Sequence, residues 1–255
     1  MDELEVLVDF HVDAERQGPG SPDDTRLAAT LAGINSDRFD AGRLDVVDIG
    51  CGTGASSIEL AMTFGANVTA VDLFPQFLSR LEQQASECGL SNRITTVEGD
   101  MTDLALPDAS FDVVWSEGAI YNMGFAAGVS AWKRLLRPGG VMVVSEITWL
   151  TTGRPSEIHD HWGAEYPEID TAAAKIAIMQ ENGLSLRGFF LLSEAGWEKH
   201  YYQPMEERLD DFLVRHGDSP IASQIVDAER REIELFRTYQ DYYGYGFYVA
   251  ALDTD

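Results

Sequence analysis

The stretch Val46–Ser57, VVDIGCGTGASS, constrains this chain most. A short apolar run ends in an acidic residue, Asp48, and then in glycines at positions 50, 52 and 54. The run reads as a buried strand. A glycine-rich turn followed by a helix is how an α/β sheet brings bare backbone against a ligand, because residues without a Cβ allow close approach and unusual φ/ψ. The remainder of the first 150 residues fits that frame. NVTAVDL, RITTVEGD, FDVVWSEG and VMVVSEIT read as further strands. ASSIELAMTFG reads as a helix closed by Gly65, and PQFLSRLEQQASECG as one opened by Pro75 and closed by Gly89. GVSAWKRLLRPGG reads as a helix stopped by Pro138-Gly139-Gly140. Strands alternating with helices predict an α/β, doubly wound, Rossmann-like and mostly parallel sheet, with the strand C-termini along one edge. Beyond Thr148 the pattern predicts two helices, a strand at LSLRGFFLL, a mainly helical stretch over 193–240 and a final strand at GYGFYVAAL.

Composition narrows the partners. Forty-three acidic residues stand against 18 lysines and arginines, a net charge of −25, and the only lysines are Lys133, Lys175 and Lys199. Such a field repels nucleic acid and anionic membranes, so no nucleic-acid or membrane partner is expected; adaptation to a saline environment is an equally good reading of the acid excess. No apolar run reaches the ~20 residues of a membrane span, the opening MDELEVLVDF is acidic where a secretory leader is basic, and a cytoplasmic location is expected. Cys51 and Cys88 make no disulfide framework, and no Cys/His grouping has metal spacing. A homodimer is one option for the oligomeric state.

Two cofactors compete for the turn. Gly50, Gly52 and Ala55 satisfy the dinucleotide pattern G-x-G-x-x-A. S-adenosylmethionine carries no pyrophosphate but has an ammonium and a sulfonium, which suit Asp48 and the acidic chain better. In both cases Asp72, at the end of the second strand, is placed to accept ribose hydroxyls. A loop-fixing role competes with the ligand role for Asp48.

DIGCGTG (Asp48–Gly54) resembles motif I of class I S-adenosylmethionine-dependent methyltransferases. Asp72 and Leu73, EGDM (Glu98–Met101) and LLRPGG (Leu135–Gly140) extend the likeness over residues 44–147. RQGPGS (Arg16–Ser21), WSEGAIYN (Trp115–Asn122) and YYGYGF resemble a narrower bacterial group of small-molecule methyltransferases, some of them associated with quinone-type methylation. The resemblance implies strand order 3-2-1-4-5-7-6 with the last strand antiparallel. It implies one methyltransferase domain over 1–255: an N-terminal helical lid (1–43), a cofactor half (44–147) and a substrate-shaping part (148–255). It implies cofactor contacts from Gln17, Gly18, Asp48, Gly50, Cys51, Gly52, Gly54, Asp72, Leu73, Asp100, Met101 and Glu117, and no metal. Ser21 or Asp23 is expected to cap the following helix.

Methyl transfer needs an aligned acceptor, and a base only where the acceptor keeps its proton near neutral pH. Tyr121 after the fourth strand, Glu146 at the end of the fifth and His161 beyond it are the catalytic candidates, each weighed against simple polar satisfaction. Trp149 is the expected aromatic wall of the substrate pocket, with 149–182 and 193–240 as its covering segments. The expected substrate is a small hydrophobic or ring-containing molecule. A cofactor-binding sensor or partner subunit without turnover, and an NAD(P)-dependent oxidoreductase, are the alternatives.

Overall fold

The computed structural model describes residues 2–34, 44–217 and 219–254; the expected lid segment 1–43 therefore lies partly outside the described residues. The sheet contains β1 (Asp45–Ile49), β2 (Asn67–Asp72), β3 (Ile94–Glu98), β4 (Phe111–Ser116), β5 (Leu136–Trp149), β6 (Asp170–Thr171), β7 (Leu184–Leu191) and β8 (Tyr243–Leu252). Its order is β3-β2-β1-β4-β5-β8-β7, with the two-residue β6 beside the end of β5. β1 to β5 pair in parallel, and β8 runs antiparallel to both β5 and β7. Setting aside β6, which no sequence signal announced, this is the expected order.

Side-chain alternation along the strands divides the interior. Val46, Val113, Trp115, Val141 and Val143 point to one face, beneath α1 (Glu3–Val12), α2 (Pro22–Leu31), α3 (Ala55–Phe64), α4 (Pro75–Glu87), α9 (Gln203–Arg215) and α10 (Pro220–Tyr239). Val47, Ile49, Val114, Met142 and Val144 point to the other, beneath α5 (Phe125–Trp132) and α7 (Ala172–Glu181). The same period of two sends Asp48 to the Val46 face. α6 (Ser156–Glu165) and α8 (Glu194–Trp197), the latter continued by a π-helical turn at 198–202, complete the helices.

The predicted helix at GVSAWKRLLRPGG ends early. α5 stops at Trp132, residues 133–135 form a 3₁₀ turn, and β5 already starts at Leu136. Pro138 is tolerated in the strand because the β4–β5 register shifts there, between the Phe111–Leu136 and Val113–Val141 pairs. Ser21, not Asp23, is the N-cap of α2 and accepts from the Asp24 N–H.

Candidate functional site

The C-terminal ends of β1, β2, β3 and β4, with α1 and the segment after it, line an open cavity of about 590 Å³. The glycine turn forms its floor. The Gly50 and Cys51 N–H groups donate to the Val71 carbonyl at 2.8 and 3.0 Å, which pins the turn to β2. Gly52 has φ +54°, and a Cβ there would stand 2.0 Å from Gln17 Oε1. Gly54, at φ +91°, opens α3 and has Leu81 where a side chain would begin. Gly52 is therefore needed for the approach of the N-terminal segment, and Gly54 for packing of α3 on α4.

Asp72 lines the cavity with its carboxylate already oriented. Oδ2 accepts from the Gly52 N–H at 2.8 Å and Oδ1 from the Phe74 N–H at 3.0 Å. A carboxylate has about four acceptor directions, so two remain for ligand hydroxyls. Burial raises its pKa, and those backbone donors oppose the rise. Leu73, Phe74 and Phe77 continue this wall, with the two phenylalanines edge to face at 5.4 Å. Asp100 closes an Asx turn on the Thr102 N–H and hydroxyl, at 2.8 and 2.7 Å, which holds its carboxyl below the usual range. Met101 beside it lines the cavity and is anchored by Trp132 Nε1, which donates to its carbonyl.

On the opposite wall Glu117 collects three donors: Arg16 Nη1 at 2.7 Å, the Thr25 hydroxyl at 2.7 Å and Trp115 Nε1 at 3.1 Å. Arg16 also lines the cavity, and its Nε is buried with no partner among the described residues. Arg16 was not among the sequence candidates, although RQGPGS was; its neighbour Gln17 drew the attention. Gln17 lines the cavity too, but its amide is used within the protein. Oε1 accepts from the Thr53 N–H at 2.8 Å, and Nε2 donates to Thr53 Oγ1 and to the His11 and Ala14 carbonyls.

The structure places Gln17, Gly18, Gly50, Cys51, Gly52, Asp72, Leu73, Asp100, Met101, Glu117 and Tyr121 in the cavity wall. Asp48 and Gly54 are not in it. Asp48 is fully buried beneath α3, where Oδ2 accepts from the Ser56 and Ser57 hydroxyls at 2.7 Å each while Oδ1 has no partner among the described residues. Burial lifts its pKa to about 7. This is a loop-fixing arrangement, and strand alternation is its cause. Cys51 sits in the wall with its thiol pushed up by burial and by the nearby acids, so it stays neutral.

The three catalytic candidates separate. Tyr121, on the 3₁₀ turn 120–122, is half-exposed in the wall, with Tyr166 edge-on at 6.0 Å. Glu146 lies outside the wall. It is completely buried and paired to Lys175 Nζ at 3.0 Å, and Lys175 also donates to the Glu168 carbonyl at 2.9 Å. Burial raises the Glu146 pKa and Lys175 opposes the rise. Lys175, in an otherwise apolar stretch of α7, was the missing partner. His161 is also outside the wall, half-buried on α6 against Trp162. Trp149 is covered by the Arg154 guanidinium at 4.0 Å and by His159. Segments 149–182 and 193–240 contribute nothing to this wall; α1 does, through Leu4, Leu7, Val8 and His11. His11 went unrecognised because one histidine in an amphipathic helix has no spacing signal. Among the described residues no group of acids, histidines and cysteines could hold a metal ion, and no helix is long and apolar enough to cross a membrane.

With this geometry in hand, comparison with known proteins is informative. Residues 46–140 match the family model described as a methyltransferase domain. A sterol 24-C-methyltransferase of Gibberella zeae is 30% identical over 173 residues, 66% of this chain and 42% of that protein. The 27-O-demethylrifamycin SV methyltransferase of Amycolatopsis mediterranei is 33% identical over 123 residues, 48% of this chain and 44% of that one. The chain thus spans less than half the length of these relatives. In the crystal structure of an S-adenosylmethionine-dependent methyltransferase from Geobacter sulfurreducens in complex with S-adenosyl-L-homocysteine, the same fold covers 96% of this chain and 97% of that one, with a TM-score of 0.81 at 20% identity.

Proposed function

We propose that this protein is an S-adenosylmethionine-dependent methyltransferase acting on a small molecule with a hydrophobic or ring-containing body. The observation that carries this reading is the pairing of a pre-oriented Asp72 carboxylate on one wall with the Arg16–Glu117 pair on the other, across a glycine turn of the matched methyltransferase domain. Asp72 has acceptor capacity left for a ribose diol. Asp100 and Met101, which line the cavity, are assigned to the edge and face of the adenine. Arg16 Nε is a donor without a partner, suited to the methionine carboxylate. Three carboxylates, Asp72, Asp100 and Glu117, line the cavity against the single guanidinium of Arg16, which favours a cationic cofactor over a pyrophosphate.

When bound, S-adenosylmethionine supplies a methyl group already activated on a sulfonium. The protein's own task is then to bind, orient and exclude water. Tyr121, the wall tyrosine after β4, is the residue assigned to meet the acceptor. α1, with Leu4, Leu7 and Val8 in the wall, covers the site. The small-molecule reading is supported by the size of the cavity and by the sterol and rifamycin substrates named for the relatives.

Calorimetry with S-adenosylhomocysteine and with NAD tests the cofactor, and single-turnover transfer of labelled methyl to a metabolite extract tests the activity. Binding of the first ligand and transfer to a small extract component are expected. Preferential NAD binding overturns the cofactor; binding without transfer points to the non-catalytic sensor.

A further inference from the structure

Next to Gly118 and Gln17 of the cavity wall, and outside the wall itself, the protein collects polar groups that nothing so far requires. The Tyr245 ring lies 3.9 Å from where a side chain on Gly118 would begin. The Tyr201 hydroxyl lies 3.5 Å from the Gln17 carbonyl, and Gln17 itself is in the cavity wall. Glu229 and Glu232 are three residues apart on α10 and so share one face of it. Glu232 Oε1 accepts from the Tyr202 hydroxyl at 3.1 Å, whereas Glu229 Oε2 is buried with no partner among the described residues. Tyr121, Tyr201 and Tyr245 all lie within electrostatic reach of Glu232, and the first two also of Glu229. One cation is near: Arg208 lies close to Glu229, Tyr201 and His11, but it donates to the Phe10 and Pro204 carbonyls at 3.1 Å each.

His11 is an independent observation from a different element. It belongs to the cavity wall and is half-buried, and its buried Nδ1 has no partner among the described residues. Burial, assisted by Arg208, depresses its pKa to about 4, so at neutral pH the imidazole is uncharged. Burial also pushes the Glu229 carboxyl up, to about 8, and raises that of Glu232. Buried acceptors and carboxylates without matching donors are costly unless a ligand supplies the donors.

We propose that Tyr121, Tyr201, Tyr245, Glu229, Glu232 and His11 form the acceptor subsite of this enzyme, and that it recognises a primary or secondary amine in its ammonium form. An ammonium brings a positive charge for the two carboxylates and up to three N–H donors for the unmatched acceptors. A hydroxyl brings one donor and no charge. The tyrosine rings offer faces to a cation and an apolar surface to the body of the amine. This proposal rests on the methyltransferase reading and specifies its substrate class.

The test uses the full chain and begins with calorimetry of S-adenosylhomocysteine alone; failure at this step overturns the cofactor reading and the amine subsite with it. On the protein saturated with that ligand, 2-phenylethylamine, benzylamine and putrescine are then titrated against 2-phenylethanol, benzyl alcohol and butane-1,4-diol. At least one amine is expected to bind ten times more tightly than its alcohol. Glu229→Gln and Glu232→Gln, which keep size and an acceptor, are each expected to weaken that amine at least tenfold and to leave S-adenosylhomocysteine affinity within twofold. If no amine outbinds its alcohol, or if both variants bind the amine as the parent does, the amine subsite is overturned while the cofactor reading stands.

Discussion

Arg16 and Glu117 meet at 2.7 Å across 101 residues of chain, with both side chains buried at the inner wall of the cavity. The pair joins the segment before α2 to the turn after β4, and Thr25 and Trp115 complete the shell around the carboxylate.

Breaking one side of this pair leaves a buried charge unpaired. Arg16→Ala should cost about 3–5 kcal/mol in urea unfolding and weaken S-adenosylhomocysteine binding. Adding Glu117→Gln to Arg16→Ala should recover part of the stability loss, because the uncompensated charge is gone. A double variant whose loss equals the sum of the single losses would show that the two residues act independently.

Asp72→Ala removes an acceptor pre-oriented by the Gly52 and Phe74 N–H groups. Loss of hydrogen bonds to a charged group predicts about 1.5–3 kcal/mol less cofactor affinity, roughly 10- to 150-fold. Some thermal stability should be lost as well, since two backbone donors lose their partner. An unchanged dissociation constant in calorimetry rejects the ribose assignment.

Asp48 predicts a pH dependence. Its folded-state pKa, about 7, lies above the ordinary 3.8. The folded protein therefore holds the proton more tightly than the unfolded chain, and this group's contribution to stability is lost as pH rises from about 4 through 7. At about 1.4 kcal/mol per unit, the charged carboxylate costs on the order of 4 kcal/mol at pH 8. Asp48→Asn keeps an acceptor for Ser56 and Ser57 and removes the charge. The melting-temperature difference between variant and parent should be small at pH 4 and grow toward pH 8; a difference that does not change with pH refutes the raised pKa.

The N-terminal segment should respond to ligand. Residues 10–22 carry His11, Arg16, Gln17, Gly18 and Pro19 into the cavity wall, so their amide protection should rise when S-adenosylhomocysteine binds. Deleting α1 is a poor test, because Phe10 packs edge-on against Phe212 at 4.9 Å and the deletion would open the core. Gln17→Ala is better: it releases Thr53 without removing apolar contacts. Hydrogen exchange of residues 10–22 that is the same with and without ligand excludes closure.

The parallel half of the fold was legible because its signals are local. Apolar runs, glycines and prolines sit within a few residues of the boundaries they cause, and Gly65, Gly89 and Pro75 all fell where expected. Part of the cavity wall was legible for the same reason, since about half of it is turn residues directly after β1, β2, β3 and β4. What stayed hidden depends on pairing across the chain. Glu146 has the features of a base until Lys175, 29 residues away, is seen to hold it. Trp149 has those of a pocket wall until Arg154 covers it. Arg16 acquires its meaning only from Glu117. Nothing in the sequence sets Glu229 and Glu232 apart from the other acids of α10, and only folding turns them inward.

β8 has a consequence for synthesis. It lies between β5 and β7, matching nine residues of β5 in register. A ribosome makes β1 to β5 first, and these can pair with one another as they emerge. β7 has no neighbour in the sheet until Tyr243–Leu252 appears, some fifty residues later, and until then the far edge of β5 offers its backbone to whatever strand is nearby. The nascent chain therefore passes through a stage in which its cofactor turn exists beside an open sheet edge. That interval is when the protein is most exposed to mispairing and has most to gain from a chaperone.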